Sequence, residues 1–236
     1  MNAPRTAPLS VLFDLDGTLV DSEPNAYESV RMTLERHGVP DFTWEQNARF
    51  IGISNPEALA VLRAEYGIDA SVAELLRTQD ALYLELAGRS TEVFPGMREF
   101  VGLLHGRGVP MAVASGSSLA GIEAVLASTG LGAFLTTHVS ADEVERGKPE
   151  PDVFLEAARR LGAAPADCVV VEDAVPGARA ARAAGMRCIA VPSVPGSAAD
   201  PVFGAAELLF PGGQEEFSAR AAYAWLFPGA GAVPVS

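Results

Sequence analysis

The chain has 236 residues, with 30 acidic against 17 basic side chains, a net charge of −13 and 49% hydrophobic residues. This length and apolar content suit one large domain or a core with a modest insert, and the acidity argues against a nucleic-acid-binding surface. No apolar run approaches the roughly 18 residues of a membrane span, and residues 1–8 are too short and polar for a signal peptide. We therefore expect no nucleic-acid or membrane partner.

Cysteine and lysine are both scarce in this chain. The two cysteines, Cys168 and Cys188, stand in no metal or redox spacing and lie in apparent core strands, so we interpret them as buried thiols. Free thiols fit a reducing compartment, which predicts a cytoplasmic protein. Lys148 is the single lysine among 17 basic side chains. In a chain that otherwise uses arginine, a single lysine indicates a position that favours a compact point charge over a planar fork, the alternative being a chance surface lysine.

The first part of the chain predicts one strand followed only by helices. Residues 9–13 form an apolar run long enough for a buried strand, after a lead at residues 1–8 that we expect to be disordered. Ser54 is predicted to cap the third helix. Because no strand pattern occurs from residue 23 to residue 89, we predict a small all-helical cap domain, residues 22–89, inserted after strand one. Its helical patterns cover residues 24–38, 41–50, 56–66 and 71–88.

From residue 90 onward, strand and helix patterns alternate. Such alternation predicts a parallel sheet with helices on both faces. The predicted fold class is therefore α/β, a Rossmann-like core of residues 1–21 and 90–236. After Ser193 the pattern weakens to a peripheral strand and a last helix at residues 215–226, with no apparent chemistry. The strand patterns cover residues 110–114, 134–139, 168–171 and 187–191, and the helical patterns cover residues 97–107, 119–129, 151–161 and 176–184.

Two carboxylates, Asp14 and Asp16, follow the first strand directly. On a continuing strand their side chains would share one face, where the two like charges repel each other. A divalent metal would remove that repulsion, and hard oxygen ligands suit Mg²⁺. Gly17 lets the chain turn away with its backbone close to a ligand. The alternative is a strand-end turn with solvated acids.

Polar side chains also follow three later strands. Ser115 and Gly116 come before a helix, where a hydroxyl and backbone donors form either an anion cradle or an ordinary helix cap. Lys148 follows the weak strand at residues 134–139. Glu172 and Asp173 follow four apolar residues. Because ligands of an open parallel sheet bind beyond the carboxyl ends of its strands, we expect these side chains to meet at one edge.

Together these motifs resemble the haloacid dehalogenase-like hydrolases, in the branch of β-phosphoglucomutases and phosphatases that carry a helical cap. The resemblance covers residues 9–191. It implies a Mg²⁺-dependent phosphatase that acts on a small phosphorylated metabolite, with sugar phosphates favoured. Its motifs, in family order, are Asp-Leu-Asp-Gly-Thr and Leu-Val-Asp-Ser-Glu-Pro at residues 14–18 and 19–24, Ser115, Gly-Lys-Pro-Glu-Pro at residues 147–151, and Glu172 with Asp173.

The resemblance also implies a role for each motif residue. Asp14 is the nucleophile that forms an aspartyl-phosphate, and Asp16 is the general acid and base. Lys148 offsets the negative charge of the phosphoryl oxygens and the nucleophile. Ser115, Gly116 and Lys148 bind the phosphate. The implied Mg²⁺ ligands are Asp14, the backbone carbonyl of Asp16, Asp173 and, directly or through water, Glu172.

Several alternatives stay open. Asp16 argues against a dehalogenase, and the absence of lysine from the predicted cap argues against a phosphonatase. A phosphoglucomutase-like mutase is the main alternative, although Asn55 stands where the mutases carry a phosphate-gripping arginine and Ala26 where many relatives carry histidine. A non-catalytic binding relative is a further alternative. Arg49 and Asn55 are the predicted substrate contacts of the cap. We expect a monomer or a small homo-oligomer.

Overall fold

A computed structural model describes residues 9–50, 53, 55–194 and 196–229. The predicted lead, residues 1–8, and the predicted cap residue Ser54 lie outside the described residues. Within the described part, no helix is both long and apolar enough to cross a membrane. The chain forms two compact units, one up to Asp21 and from Val93 onward, the other spanning Ser22–Glu92. The sequence prediction had placed the helical insert at residues 22–89.

The described residues form eight strands and ten α-helices. The strands are β1 (Ser10–Phe13), β2 (Val20–Asp21), β3 (Glu92–Val93), β4 (Met111–Ser115), β5 (Thr137–Ser140), β6 (Cys168–Glu172), β7 (Arg187–Ala190) and β8 (Leu208–Leu209). The helices are α1 (Glu23–Arg36), α2 (Trp44–Ala48), α3 (Asn55–Tyr66), α4 (Val72–Ser90), α5 (Pro95–Gly106), α6 (Leu119–Thr129), α7 (Asp152–Leu161), α8 (Val175–Ala183), α9 (Pro201–Gly204) and α10 (Ala219–Leu226).

The core unit is built on a six-stranded parallel sheet with the order β5-β4-β1-β6-β7-β8. Successive side chains of β1 point to opposite faces. Leu12 belongs to the cluster that contains Phe154 of α7, while Phe13 meets Phe100 of α5 edge to face with ring centroids 6.0 Å apart. Both faces of β1 are therefore buried under helices, which confirms the predicted α/β class.

The helical unit, Ser22–Glu92, has a small core of its own. Leu34, Leu59, Leu62 and Leu75 from α1, α3 and α4 bury their side chains together. Helix α4 begins at a capping box, in which Ser71 and Glu74 satisfy each other's backbone N–H groups. Short helices are only marginally stable on their own. The apolar residues at helical spacing therefore stabilise these helices by packing against one another.

The structure differs from the sequence prediction at several places in the second half of the chain. Strand β5 begins at Thr137 rather than at residue 134, because Leu131–Ala133 form a 3₁₀ turn that Phe134 closes. The last helix begins at Ala219 rather than at residue 215, because the Ser218 hydroxyl caps it by accepting from the backbone N–H of Ala221. The helix α9 was not predicted.

Candidate active site

The predicted motif residues lie at the carboxyl ends of three adjacent strands. Asp14 follows β1, while Ser115 and Glu172 are the last residues of the two strands that flank it, β4 and β6. Parallel strands bring their carboxyl ends to the same edge of a sheet. The structure therefore brings together Asp14, Lys148, Glu172 and Asp173, and it places Ser115 beside Asp16.

Lys148 joins two of these carboxylates. Its Nζ lies 2.6 Å from Asp14 Oδ1 and 2.6 Å from Glu172 Oε1, and 4.8 Å from the ring centroid of Phe154. Burial disfavours the charged lysine, but the carboxylates of Asp14 and Glu172 outweigh burial and raise the Lys148 pKa above its usual range. The lysine is therefore held as a cation between two carboxylates.

Three buried carboxylates share this edge with one lysine. Asp14, Glu172 and Asp173 each offer an oxygen within 4.8 Å of the others. Burial raises the pKa of Asp14 well above its usual range, and burial with the Glu172 charge raises the pKa of Asp173 to about 7. When all three carboxylates are ionised, the single ammonium leaves two negative charges in excess. This all-oxygen donor set fits a divalent cation, whose charge would balance that excess.

Glu172 is fixed by its own turn. Its Oε2 accepts hydrogen bonds from the backbone N–H groups of Asp173 and Ala174, each at 2.8 Å, while Oε1 accepts from Lys148. Its carboxylate lies so close to α8 that a Cβ on Gly177 would collide with it. Glycine at position 177 therefore makes room for the carboxylate that orients Lys148.

Asp173 is held by two hydroxyl groups. Thr18 Oγ1 donates to Asp173 Oδ1 at 2.9 Å, and Ser193 Oγ donates to Asp173 Oδ2. Gly17 has a φ of +78°, and a Cβ there would collide with Asp173 Oδ2. Glycine at position 17 thus serves both the left-handed turn and the approach of the carboxylate.

Asp16 is turned toward the loop that follows β4. Ser117 Oγ donates to Asp16 Oδ2 at 2.5 Å, and Ser115 Oγ lies 3.4 Å from the same oxygen. The loop is braced in turn, because the Ser117 backbone N–H donates to Ser115 Oγ and Ser140 Oγ donates to the Ser117 carbonyl. The carboxylate of Asp16 therefore has different partners from that of Asp14.

Three residues that support this site were not predicted from the sequence. They are Ser117 on Asp16, Ser193 on Asp173, and Gln214, whose Nε2 donates to the carbonyls of Gly17 and Thr18 at 3.2 and 2.9 Å. Two of them belong to the segment from Ser193 onward, in which no chemistry was expected. The role of this segment was left open by the sequence, and in the structure Gln214 of this segment braces the loop after β1. No pattern in the sequence signals these contacts.

The two predicted substrate residues of the helical unit lie in different surroundings. Arg49 is exposed, forms an ion pair with Glu65, and stacks over Phe50 at 4.7 Å from the ring centroid. Asn55, at the start of α3, lines a cavity of about 120 Å³ within this unit. The structure therefore gives Asn55 a place beside a cavity and gives Arg49 an acidic partner on the surface.

Comparisons with known proteins agree with this arrangement of motifs. Residues 10–185 match the family described as haloacid dehalogenase-like hydrolase. This match covers more than half of the chain, so the chain belongs to the haloacid dehalogenase-like hydrolases.

Several relatives and solved structures are similar over most of the chain. The fructose-1-phosphate phosphatase YqaB of Escherichia coli is 36% identical over 77% of this chain and 95% of its own length. The bifunctional riboflavin kinase/FMN phosphatase of Arabidopsis thaliana is 37% identical over 78% of this chain, which spans only 48% of that protein. A β-phosphoglucomutase-like structure from Thermotoga maritima aligns with a TM-score of 0.74 and 26% identity, over 85% of this chain and 93% of its own.

Proposed function

We propose that this chain is a Mg²⁺-dependent phosphatase that hydrolyses a small phosphorylated metabolite, with sugar phosphates as its first candidates. The observation that carries the proposal is the contact of Lys148 Nζ with Asp14 Oδ1 at 2.6 Å, beside two further buried carboxylates. A carboxylate nucleophile can approach an anionic phosphate only where positive charge offsets their repulsion. One lysine and a divalent cation supply that charge.

The donor set supports Mg²⁺ as the cation. Asp14, Asp173 and the backbone carbonyl of Asp16 would hold it, and Glu172 would act directly or through water. When bound, the ion supplies charge that stabilises the phosphoryl oxygens in the transition state. Both oxygens of Glu172 already accept hydrogen bonds, from Lys148 and from two backbone N–H groups, which favours the indirect role.

The reaction would run in two displacements. An oxygen of Asp14 forms a bond to phosphorus as the bond to the leaving-group oxygen breaks, and Asp16 gives that oxygen a proton. Asp16 then takes a proton from a water molecule, whose oxygen attacks phosphorus and releases phosphate from Asp14. Ser115, the backbone of Gly116 and Lys148 hold the phosphoryl oxygens during both steps. We propose that the helical unit closes as a cap that excludes water and meets the leaving group.

The choice of sugar phosphates rests on the relatives. Proteins named fructose-1-phosphate phosphatase and hexitol phosphatase A are each 36% identical to this chain. A mutase is the second candidate function, supported by the likeness to the β-phosphoglucomutase-like structure. Presence of Asp14, Lys148 and Asp173 argues against a non-catalytic relative. Both cysteines are free and buried, which supports a reducing cytoplasmic environment.

The experiment that tests the proposal is phosphate release by the purified protein from a panel of phosphate monoesters, with Mg²⁺ and with a chelator. We expect release that requires Mg²⁺ and is concentrated on a few sugar phosphates. Conversion between phosphate isomers of a hexose, without net release, would favour the mutase. No turnover on any ester, with Mg²⁺ binding intact, would overturn the proposal and favour a binding protein.

A further inference from the structure

One glutamine of the carboxyl-terminal segment reaches the turn that follows β1. Gln214 Nε2 donates hydrogen bonds to the carbonyl oxygens of Gly17 at 3.2 Å and of Thr18 at 2.9 Å, the latter across 196 positions of the sequence. Among the described residues, no other donor reaches either carbonyl. Thr18 is fully buried, and folded proteins pair the great majority of buried carbonyls. The turn therefore depends on this amide for its hydrogen bonds.

The turn that Gln214 holds carries two groups of the proposed active site. Residues 15–20 close on themselves through backbone hydrogen bonds of 2.9 to 3.1 Å. The turn contains the backbone carbonyl of Asp16, and the Thr18 hydroxyl donates from it to Asp173 Oδ1 at 2.9 Å. Because the turn is closed by its own hydrogen bonds, a displacement at the carbonyls that Gln214 holds would be carried to both of these groups.

The backbone that presents Gln214 is itself fixed. The side chain projects from a 3₁₀ turn, Gly213–Glu215. Gly213 has a φ of +64°, and a Cβ there would collide with the backbone carbonyl of Pro192, so the turn is packed against the segment after β7. The buried ring of Phe217 follows, with its centroid 5.7 and 5.1 Å from those of two further phenylalanines. The amide therefore acts from a packed support, as a side chain that must hold a site in place requires.

We propose that Gln214 is a positioning residue of the active site, which fixes the turn that supplies the Asp16 carbonyl and so strengthens the binding of the divalent cation. The inference rests on the proposed function, in which that carbonyl is a Mg²⁺ ligand. Groups that orient metal ligands through hydrogen bonds have strong effects on metal affinity. Gln214 lies beyond residue 185, where the match to the family ends, and no motif of the sequence indicated it.

The first test measures the binding of Mg²⁺ alone to the substrate-free protein by isothermal titration calorimetry. Gln214→Met keeps an unbranched, uncharged side chain of similar length but removes both N–H donors. We expect its Kd for Mg²⁺ to rise by about 10- to 100-fold, the usual effect of removing a hydrogen-bond partner of a metal ligand. Glu215→Gln, an exposed exchange in the same 3₁₀ turn, is the control and should keep the wild-type Kd.

Amide hydrogen exchange of the metal-free protein separates positioning from general support of the fold. Loss of the Gln214 donor should release the turn, so the backbone amides of residues 17–20 should exchange faster in Gln214→Met than in the wild type. The amides of β6, in the centre of the sheet, should keep their wild-type rates, because only the local opening of the turn changes. A purely structural role would speed exchange in the turn and in β6 alike.

The outcomes separate this inference from the proposed function. A wild-type Kd for Mg²⁺ in Gln214→Met, or faster exchange in β6 as well as in the turn, would overturn the inference, while Mg²⁺-dependent phosphate release by the wild type would still support the function. A wild type that binds Mg²⁺ but hydrolyses no phosphate ester would refute the function, and a weaker Kd in the variant would still support the role of Gln214. A wild type that binds no Mg²⁺ would overturn both.

Discussion

Two buried polar regions of this protein differ in how their polar atoms are paired. In the core unit, both oxygens of Glu172 and both oxygens of Asp173 accept hydrogen bonds from named donors. In the helical unit, the amide of Gln79 is buried as deeply, but its oxygen lacks a donor among the described residues. The carboxylate oxygens of Glu172 and Asp173 are thus already paired, whereas Gln79 keeps an acceptor without a donor among the described residues.

This difference fits two kinds of task. Chemical steps need charged groups held in place in advance, because preorganised charges cost no rearrangement at the moment of reaction. An unpaired buried acceptor, by contrast, is available to a group that brings a hydrogen-bond donor. We therefore expect large effects on turnover for substitutions in the core cluster and smaller effects in the helical unit.

Asp14→Asn removes the proposed nucleophile while keeping the size of the side chain. We expect kcat to fall by about 10⁴-fold or more, as when a covalent nucleophile is removed in other enzymes. Phosphate release from the best ester of the panel measures it. The same exchange at an exposed acid, Asp142→Asn, should keep wild-type turnover. Turnover near the wild-type rate in Asp14→Asn would show that the core cluster does not carry out the reaction.

Lys148→Arg keeps the positive charge but changes its shape. The lysine is only 11% exposed and its Nζ contacts two carboxylates at 2.6 Å, so the wider guanidinium would have to displace one of them. We expect kcat/KM to fall by about 100-fold, close to the loss of one transition-state donor. Arg146→Lys, an exposed exchange two residues earlier, is the control with unchanged activity. Retained activity in Lys148→Arg would mean that charge alone matters there.

Gly177→Ala tests whether Glu172 needs the space beside α8. The added methyl would collide with the Glu172 carboxylate, so we expect the free energy of unfolding to fall by about 1–3 kcal/mol, with a loss of turnover. Gly102→Ala, in the exposed part of α5 where nothing lies within 4 Å, should instead raise it by about 0.5–1 kcal/mol. Denaturant unfolding of both variants measures the two signs. A higher free energy of unfolding in both variants would show that the added methyl at position 177 meets no costly crowding.

The pH dependence of stability gives a smaller effect. Burial raises the pKa of Asp173 to about 7 from an ordinary 3.8, so the metal-free folded protein keeps a proton that the unfolded chain has lost. The stability from that proton is present below pH 4 and is lost as the pH rises through 7. In the presence of a chelator, the free energy of unfolding at pH 8 should therefore be about 1.4 kcal/mol lower than at pH 6. This difference corresponds to a Tm that is roughly 3–5 °C lower at pH 8.

Asp173→Asn provides the comparison for this pH effect, because it removes the Asp173 carboxyl and keeps every other ionisable group of the chain. The variant should lose most of the difference in Tm between pH 6 and pH 8. An equal difference in the variant and the wild type would assign the effect to other groups. Saturating Mg²⁺ should narrow the difference in the wild type, since the ion takes the place of the proton.

The core residues were predictable from the sequence because each directly follows an apolar strand. Asp14, Ser115 and Glu172 end or follow neighbouring parallel strands, and parallel pairing alone brings such positions to one edge. The α/β class was predictable for the same reason, since strand and helix patterns alternate. Lys148 was indicated by its being the single lysine of the chain.

The supporting residues were not predictable, because their partners are distant in the sequence. Thr18 and Asp173 are 155 positions apart, and Gln214 and Thr18 are 196 apart. In the sequence pattern, Gln79 is an ordinary polar residue of an amphipathic helix. Only the packing of the helical unit shows that it is buried. Contacts of this kind depend on tertiary structure rather than on local pattern.

Chemical trapping of the covalent intermediate tests directly whether Asp14 is the nucleophile. The wild-type protein is quenched during turnover of its best ester with Mg²⁺ and reduced with borohydride, which converts an aspartyl-phosphate into homoserine. Peptide mass spectrometry then locates the modified residue. We expect homoserine at position 14 of the wild type and none in Asp14→Asn. Homoserine at another aspartate, or none at all while phosphate is released rapidly, would contradict the assignment of Asp14 as the nucleophile.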